Sequence, residues 1–269
     1  MDFREWFKER ANVTNELYIR LDNYEDIEVL HQYRVNLRKL YACSEVYAKQ
    51  VDKKKSKELS KLIKRIIKPT SALRDLDVFL GEIETFTCSA QIKKKLHNIL
   101  NIKRATLFEK FSSAVKSDEY KNNLKDFYTM SKSDKFFLYK KIGRVNNYKT
   151  IKNIEKIIYG DFNKIDESTS FTELHELRMK FKKFRYALNI YEQCFDEGKK
   201  ISTDLSKLKI LQDLFGAIQD NLVRLEFVKS LKGELTKKQL IELKDYFKKN
   251  LNSAREKLYI FKDSKEWLL

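Results

Sequence analysis

Leu174-His175-Glu176-Leu177-Arg178-Met179-Lys180-Phe181-Lys182-Lys183-Phe184-Arg185-Tyr186-Ala187-Leu188 is the stretch that decides how this chain folds. At about 100° per residue, Leu174, Leu177, Phe181, Phe184 and Leu188 form one apolar seam of a helix. His175, Arg178, Lys182 and Arg185 share a face rotated from that seam by roughly a third of a turn. A burying stripe and a cationic stripe therefore run side by side along one helix.

The layout occurs twice. Leu30, Tyr33, Leu37 and Leu40 repeat the seam, and His31, Arg34 and Arg38 repeat the charged face. The pattern His-x-x-Arg-x-x-x-(Arg/Lys)-(Arg/Lys) thus recurs after 144 residues. Like charges stacked one and two turns apart destabilise a helix by roughly a few tenths of a kcal/mol per pair. Something anionic should meet each stripe, either acidic side chains of neighbouring helices or a ligand. Repetition within one chain favours the ligand.

The chain has 269 residues, of which 42% are hydrophobic, enough for a real core in one large domain or two modest ones. One proline and six glycines leave few of the breakers that β-rich folds need, so the composition points to an all-α protein. Lys and Arg number 56 against 39 Asp and Glu, a net charge of +17. Such a field attracts polyanions by long-range steering and counterion release, without distinguishing nucleic acid from other phosphate polymers. Cys43, Cys88 and Cys194 are odd in number and widely spaced, as in a reduced cytoplasmic protein. The charged N-terminus and the lack of any long apolar run argue against a signal peptide and a membrane partner.

Along the chain, helices are expected over about 2–21, 24–50, 56–67, 73–85, 89–120, 134–159, 171–194, 201–231 and 236–260, with Pro69 marking a kink. Lys53-Lys54-Lys55 is expected to be a solvated connection, and Ser131-Lys132-Ser133-Asp134 the boundary between repeat halves at about 1–130 and 134–269. Gly160-Asp161 is expected to close its helix. Lys57, Lys61, Lys64 and Lys68 form a second cationic line at i, i+4, i+7 and i+11, a pattern that is usually just a wet face. His97, among lysines, is expected to be an ordinary surface histidine. The apolar end Trp267-Leu268-Leu269 should dock on the protein's own core or in a homodimer. About four helices per half suggest two antiparallel bundles from an internal duplication, single-domain overall. The duplication extends beyond the histidine motif: Lys64 and Lys209 follow their histidines by 33 and 34 residues, and Asp75 and Asp220 follow by 44 and 45.

His31-x-x-Arg34-Val35-x-x-Arg38-Lys39 and Leu73-Arg74-Asp75-Leu76-Asp77-Val78 resemble the first-repeat motifs of the CHAD family, the conserved histidine α-helical domain. His175-x-x-Arg178-x-x-x-Lys182-Lys183-x-Arg185-Tyr186 and Leu211-Gln212-Asp213-Leu214-x-Gly216-x-x-Gln219-Asp220 resemble those of the second. The resemblance implies two pseudo-symmetric helical bundles around a basic central cleft or channel that binds inorganic polyphosphate, without catalysis and without a cofactor. Carried over, the polyphosphate-binding positions are His31, Arg34, Arg38, Lys39, Lys64 and Arg74, then His175, Arg178, Lys182, Lys183, Arg185 and Lys209. Asp75 could hold its neighbour Arg74. Tyr41, Ser71, Gln219 and Asn189 depart from the family pattern. The resemblance also allows cytoplasmic placement at polyphosphate granules and binding of other polyanions.

A polyphosphate has no bases to read, so recognition must act on phosphate oxygens, for which Arg forks, Lys point charges and switchable His are suited. Binding should weaken steeply with salt, and from about pH 6 to 8 if His31 and His175 bind protonated. Nucleic acid is the competing partner, but it usually needs aromatic platforms, and only Tyr186 shares the central stripe. An Mg²⁺-dependent enzyme using Asp75, Asp77, Asp213 and Asp220 is a third reading. Without a nucleophile motif or a phosphate-cradling glycine loop, those carboxylates are expected to cap helices and pair with Arg74 and the stripes.

Overall fold

The computed structural model describes residues 2–21, 26–48, 51–137, 147–195 and 205–267. Among these the chain forms ten α-helices and three short 3₁₀ turns, and no strand beyond two isolated bridges. The helices are α1 (Phe3–Arg20), α2 (Ile27–Val46), α3 (Lys53–Ile67), α4 (Ser71–Glu82), α5 (Ala90–Lys116), α6 (Asp118–Lys132), α7 (Asn147–Asn163), α8 (Phe171–Cys194), α9 (Leu205–Ser230) and α10 (Lys237–Asp263). None among the described residues is long and apolar enough to cross a membrane.

Caps explain most of the boundaries. Asp2 starts α1 with a capping box to Glu5, Asp26 accepts from Glu28 and Val29 at the head of α2, and Thr236 with Gln239 boxes the start of α10. Gly233, at φ +99°, takes the left-handed conformation that turns the chain between α9 and α10.

Four expectations are corrected here. The Lys53-Lys54-Lys55 run is the first turn of α3, because Asp52 accepts from the Lys55 amide and starts the helix early. Expected as one helix over 89–120, the segment breaks where Ser117 turns extended and caps α6 by accepting from the Tyr120 amide. The segment expected as helix from 134 holds a 3₁₀ turn at Asp134–Phe136, and α7 starts at Asn147; Gly143 lies outside the described residues. Gly160-Asp161 does not close α7, which runs to Asn163, since a Cβ-less residue is tolerated within a helix that buries Ile158 and Phe162 on either side. Pro69 does mark a bend, sitting in the 3₁₀ turn Lys68–Thr70 between α3 and α4.

The described chain divides into two compact units, one of residues 1–78, 103–151 and 186–200, the other of 79–102, 152–185 and 201–269. The Ser131–Asp134 segment lies within the first. In that unit α1, α2, α3 and α6 close a four-helix ring, each packed on the next. Its core holds Phe3, Trp6, Phe7, Tyr33, Leu37, Leu59, Ile63 and Phe127, all at 2% exposure or less. Burying each such side chain contributes roughly 1.5–3 kcal/mol relative to leaving it in water.

In the second unit, α9 packs along α10, and Gln212 Nε2 donates to the Phe181 carbonyl to join α8 to α9. Phe162 and Phe181 meet edge to face between α7 and α8. Trp267 docks on this core, stacking on Tyr159 at 5.3 Å while its indole N–H donates to the Lys262 carbonyl; Leu268 and Leu269 lie outside the described residues. The seam that opened the sequence is buried from Leu174 to Leu188, as its spacing demands.

Candidate functional site

In the first unit the candidate residues come from three helices. His31, Arg34, Arg38 and Tyr41 follow one line along α2, while α3 runs antiparallel beside it. That direction is fixed by contacts: Arg34 reaches residues 67–71, Tyr41 reaches Lys64, and Ser44 bonds to Ser60 and Ser56. Arg74, near the start of α4, is close enough to His31 to act on its titration.

Arg34 is not a surface group. Only 5% exposed, it points its Nη1 at the end of α3, donating to the Ile67 carbonyl, to the Thr70 hydroxyl and to the Ser71 hydroxyl at 3.1 Å. A cation at a helix C-terminus satisfies orphan carbonyls and complements the dipole. Burial first, then the charge of Arg38, lowers its pKa to about 10. The buried charge is thus hydrogen-bonded to carbonyl and hydroxyl oxygens, with Asp75 the acid that favours its charged form from nearby.

His31 is half-buried, and its pKa is pushed below 6.5 by burial first, then by Arg74, with Arg34 and Arg38 adding and Glu28 opposing. Arg38 and Arg74 are also half-buried, with no ion-pair partner among the described residues. Asp75 does not hold Arg74 there, a correction to the sequence expectation. It is Asp77 that is paired, with Arg104 at 2.6 Å, a buried carboxylate whose partner lies 27 residues on. Lys64 is exposed and lies 5.2 Å from the Tyr41 ring centroid, and hydrogen bonding to Tyr41 raises its pKa. Lys39, half-buried, stands about 100° round α2 from Arg38, off the main line.

In the second unit the candidate residues lie on α8 and α9. His175 Nδ1 lies 2.7 Å from Gln219 Oε1. An amide oxygen only accepts, so in this contact Nδ1 is the donor. With Gln212 bonded to Phe181, α8 and α9 are antiparallel, and Arg185 falls level with Lys209. Arg178, Lys182, Lys183 and Arg185 are half-buried, while His175 and Lys209 are exposed. Lys180, off this face, is held by Asp161 at 2.8 Å.

Each unit therefore assembles its own set of cations around a histidine. Sequence reasoning missed Arg104, the partner of the buried Asp77, and it did not foresee Gln219 as the partner of His175. Among the described residues, no three of His, Cys, Asp and Glu cluster as metal ligands would. His97 pairs with Glu84 at 2.8 Å on the surface.

No curated protein matches the chain. Solved structures share its fold, among them the following two. The crystal structure of the CHAD domain from the plant Ricinus communis is 16% identical, with 96% of this chain and 92% of that one covered and a TM-score of 0.71. PptA from Streptomyces chartreusis is 12% identical, with 96% of both chains covered and a TM-score of 0.64. The model of the CHAD domain matches residues 10–229. With the histidine helices and their cationic faces in place, that match means the chain belongs to the CHAD family, whose domains are associated with polyphosphate binding.

Proposed function

We propose that this protein binds inorganic polyphosphate without turning it over, using the cationic faces of α2–α4 and of α8–α9. The observation that carries this reading is the crowding on the first face. Burial first, then Arg74, with Arg34 and Arg38 adding against Glu28, pushes His31 toward its neutral form, and Arg38 and Arg74 have no ion-pair partner among the described residues. Such a cluster gains most from an anion supplied from outside, and phosphate oxygens match the donors it offers. His31, Arg38, Lys39, Lys64 and Arg74 would contact phosphates on the first face; His175, Arg178, Lys182, Lys183, Arg185 and Lys209 would do so on the second. Arg34 belongs to the set as the residue that fixes where α3 ends beside it.

The test is calorimetric titration with long-chain polyphosphate, with RNA and single-stranded DNA as competitors at equal phosphate concentration. Polyphosphate should bind and resist displacement; displacement by nucleic acid would transfer the site to that class of partner. Phosphate release from polyphosphate with Mg²⁺ or Mn²⁺, lost in Asp220→Ala, would instead make the protein an enzyme.

A further inference from the structure

We infer that Lys57, Lys61, Lys64 and Lys68 form a track along α3 that extends the first cationic face and makes it select long polyphosphate over short. This inference rests on the polyphosphate reading and adds to it the length of ligand that the site takes.

Three observations carry it. All four lysines are exposed, and none has an ion-pair partner among the described residues. At 1.5 Å per residue the line from Lys57 to Lys68 is about 16 Å long. The line also joins the motif face physically. Tyr41, on the same side of α2 as Arg38, holds Lys64 beneath its ring and hydroxyl, and Arg34 ties α2 to the chain just past Lys68. An anion seated on His31 and Arg38 can therefore continue over Lys64 onto the other lysines. The acids facing this region are Glu45, which takes the Tyr41 hydroxyl, Glu58 on α3 itself, and Glu28 and Asp75 near the His31 end.

Among the described residues, α9 does not repeat the track beside its histidine face. Around Lys209 the positions matching Lys61 and Lys68 are Ser206 and Asp213. A lysine ladder that merely kept the protein solvated would not need to abut the histidine face. A triphosphate has only three phosphorus centres and cannot reach from Lys57 to Lys68, whereas a chain of tens of units can.

The experiment compares long-chain polyphosphate with tripolyphosphate on the full chain, using the triple variant Lys57→Ala/Lys61→Ala/Lys68→Ala. A control, Lys237→Ala/Lys238→Ala/Lys248→Ala, removes the same charge from exposed positions on α10. The α3 variant should bind the long chain roughly tenfold or more weakly at physiological salt. Its slope of log K against log salt should fall by about 2, near 0.7 per lost contact. Tripolyphosphate affinity should change less than twofold, and so should long-chain affinity of the control. Equal losses in both variants, or an equal loss for tripolyphosphate, would overturn the track while leaving the wild-type polyphosphate site standing. A wild-type chain that binds neither probe would overturn the underlying reading.

Discussion

On the first face a histidine stands beside an arginine; on the second a histidine stands beside an amide. His31 is pressed toward neutrality by burial and Arg74, whereas His175 donates its Nδ1 proton to Gln219. The two helices carry the same His-x-x-Arg pattern, yet their partners give the imidazoles different work. One is an imidazole whose protonated form is disfavoured by burial and by neighbouring arginines, and the other is a ring with an amide oxygen beside its Nδ1. The difference shows that the same histidine motif meets different surroundings: arginines beside His31 and a glutamine amide beside His175.

The largest way to break this comparison is at Arg34. Its Nη1 serves the end of α3, so Arg34→Ala leaves buried oxygens unsatisfied and should cost about 2–3 kcal/mol, lowering Tm by roughly 4–12 °C in a chain of this size. Arg38→Ala, half-buried and unpaired among the described residues, should stay within about 0.5 kcal/mol of wild type and instead weaken polyphosphate binding. Thermal unfolding of both variants measures this. Equal melting temperatures would show that Arg34 is not the structural member of the pair.

The titration of His31 sharpens the contrast. Because its folded pKa lies below 6.5, the folded protein holds fewer protons than the unfolded chain just below that pH. Its contribution to stability is therefore present above pH 6.5 and is lost as pH falls through the lowered value. A bound polyanion favours the protonated ring, so affinity rises in the same window and the complex takes up a proton. The fall in affinity expected between pH 6 and 8 moves lower for His31. Calorimetry in buffers of different ionisation heat reads the proton uptake, and Arg74→Gln should move the His31 midpoint upward. A midpoint that stays put would remove Arg74 from the account.

Gln219→Ala makes the complementary change. Losing the oxygen that accepts from Nδ1 should release the His175 ring to exchange tautomers, visible in its ¹⁵N shifts, with no more than about 1 kcal/mol lost in stability. Ring nitrogens that keep one tautomer in the variant would show that something other than Gln219 sets it.

Much of this was legible in the sequence. The seams of α2 and α8 were, because a helical period buries one line of residues whatever lies opposite. The faces of His31, Arg38 and His175 followed from the same period, while Lys64 and Lys209 were picked out by their matched offsets from the histidines. What periodicity could not show was which cation is consumed inside the protein. Arg34 and Arg38 lie on nearly the same line, and only the arrival of residues 67–71 against α2 separates a buried cap from a ligand group. Asp77 failed in the same way, since its partner Arg104 is on α5 and no local pattern links them. The break at Ser117 was hidden because a serine that caps and a serine that merely faces water look alike in a long amphipathic run.

The smallest expected effect is at Tyr41, where the family pattern would place another arginine. Tyr41→Phe keeps the ring beneath Lys64 but removes the hydroxyl that bonds to it and to Glu45. The ring's attraction for the ammonium at an exposed site is about 0.5–1 kcal/mol and survives the change. Only the positioning of Lys64 is lost, so stability should hold and long-chain polyphosphate affinity should fall by no more than about threefold, with an unchanged salt slope because no cation has been removed. Tyr41→Arg should go the other way, steepening the slope by about 0.7. If both substitutions leave affinity and slope untouched, Lys64 does not meet the ligand and the first face ends at Arg38.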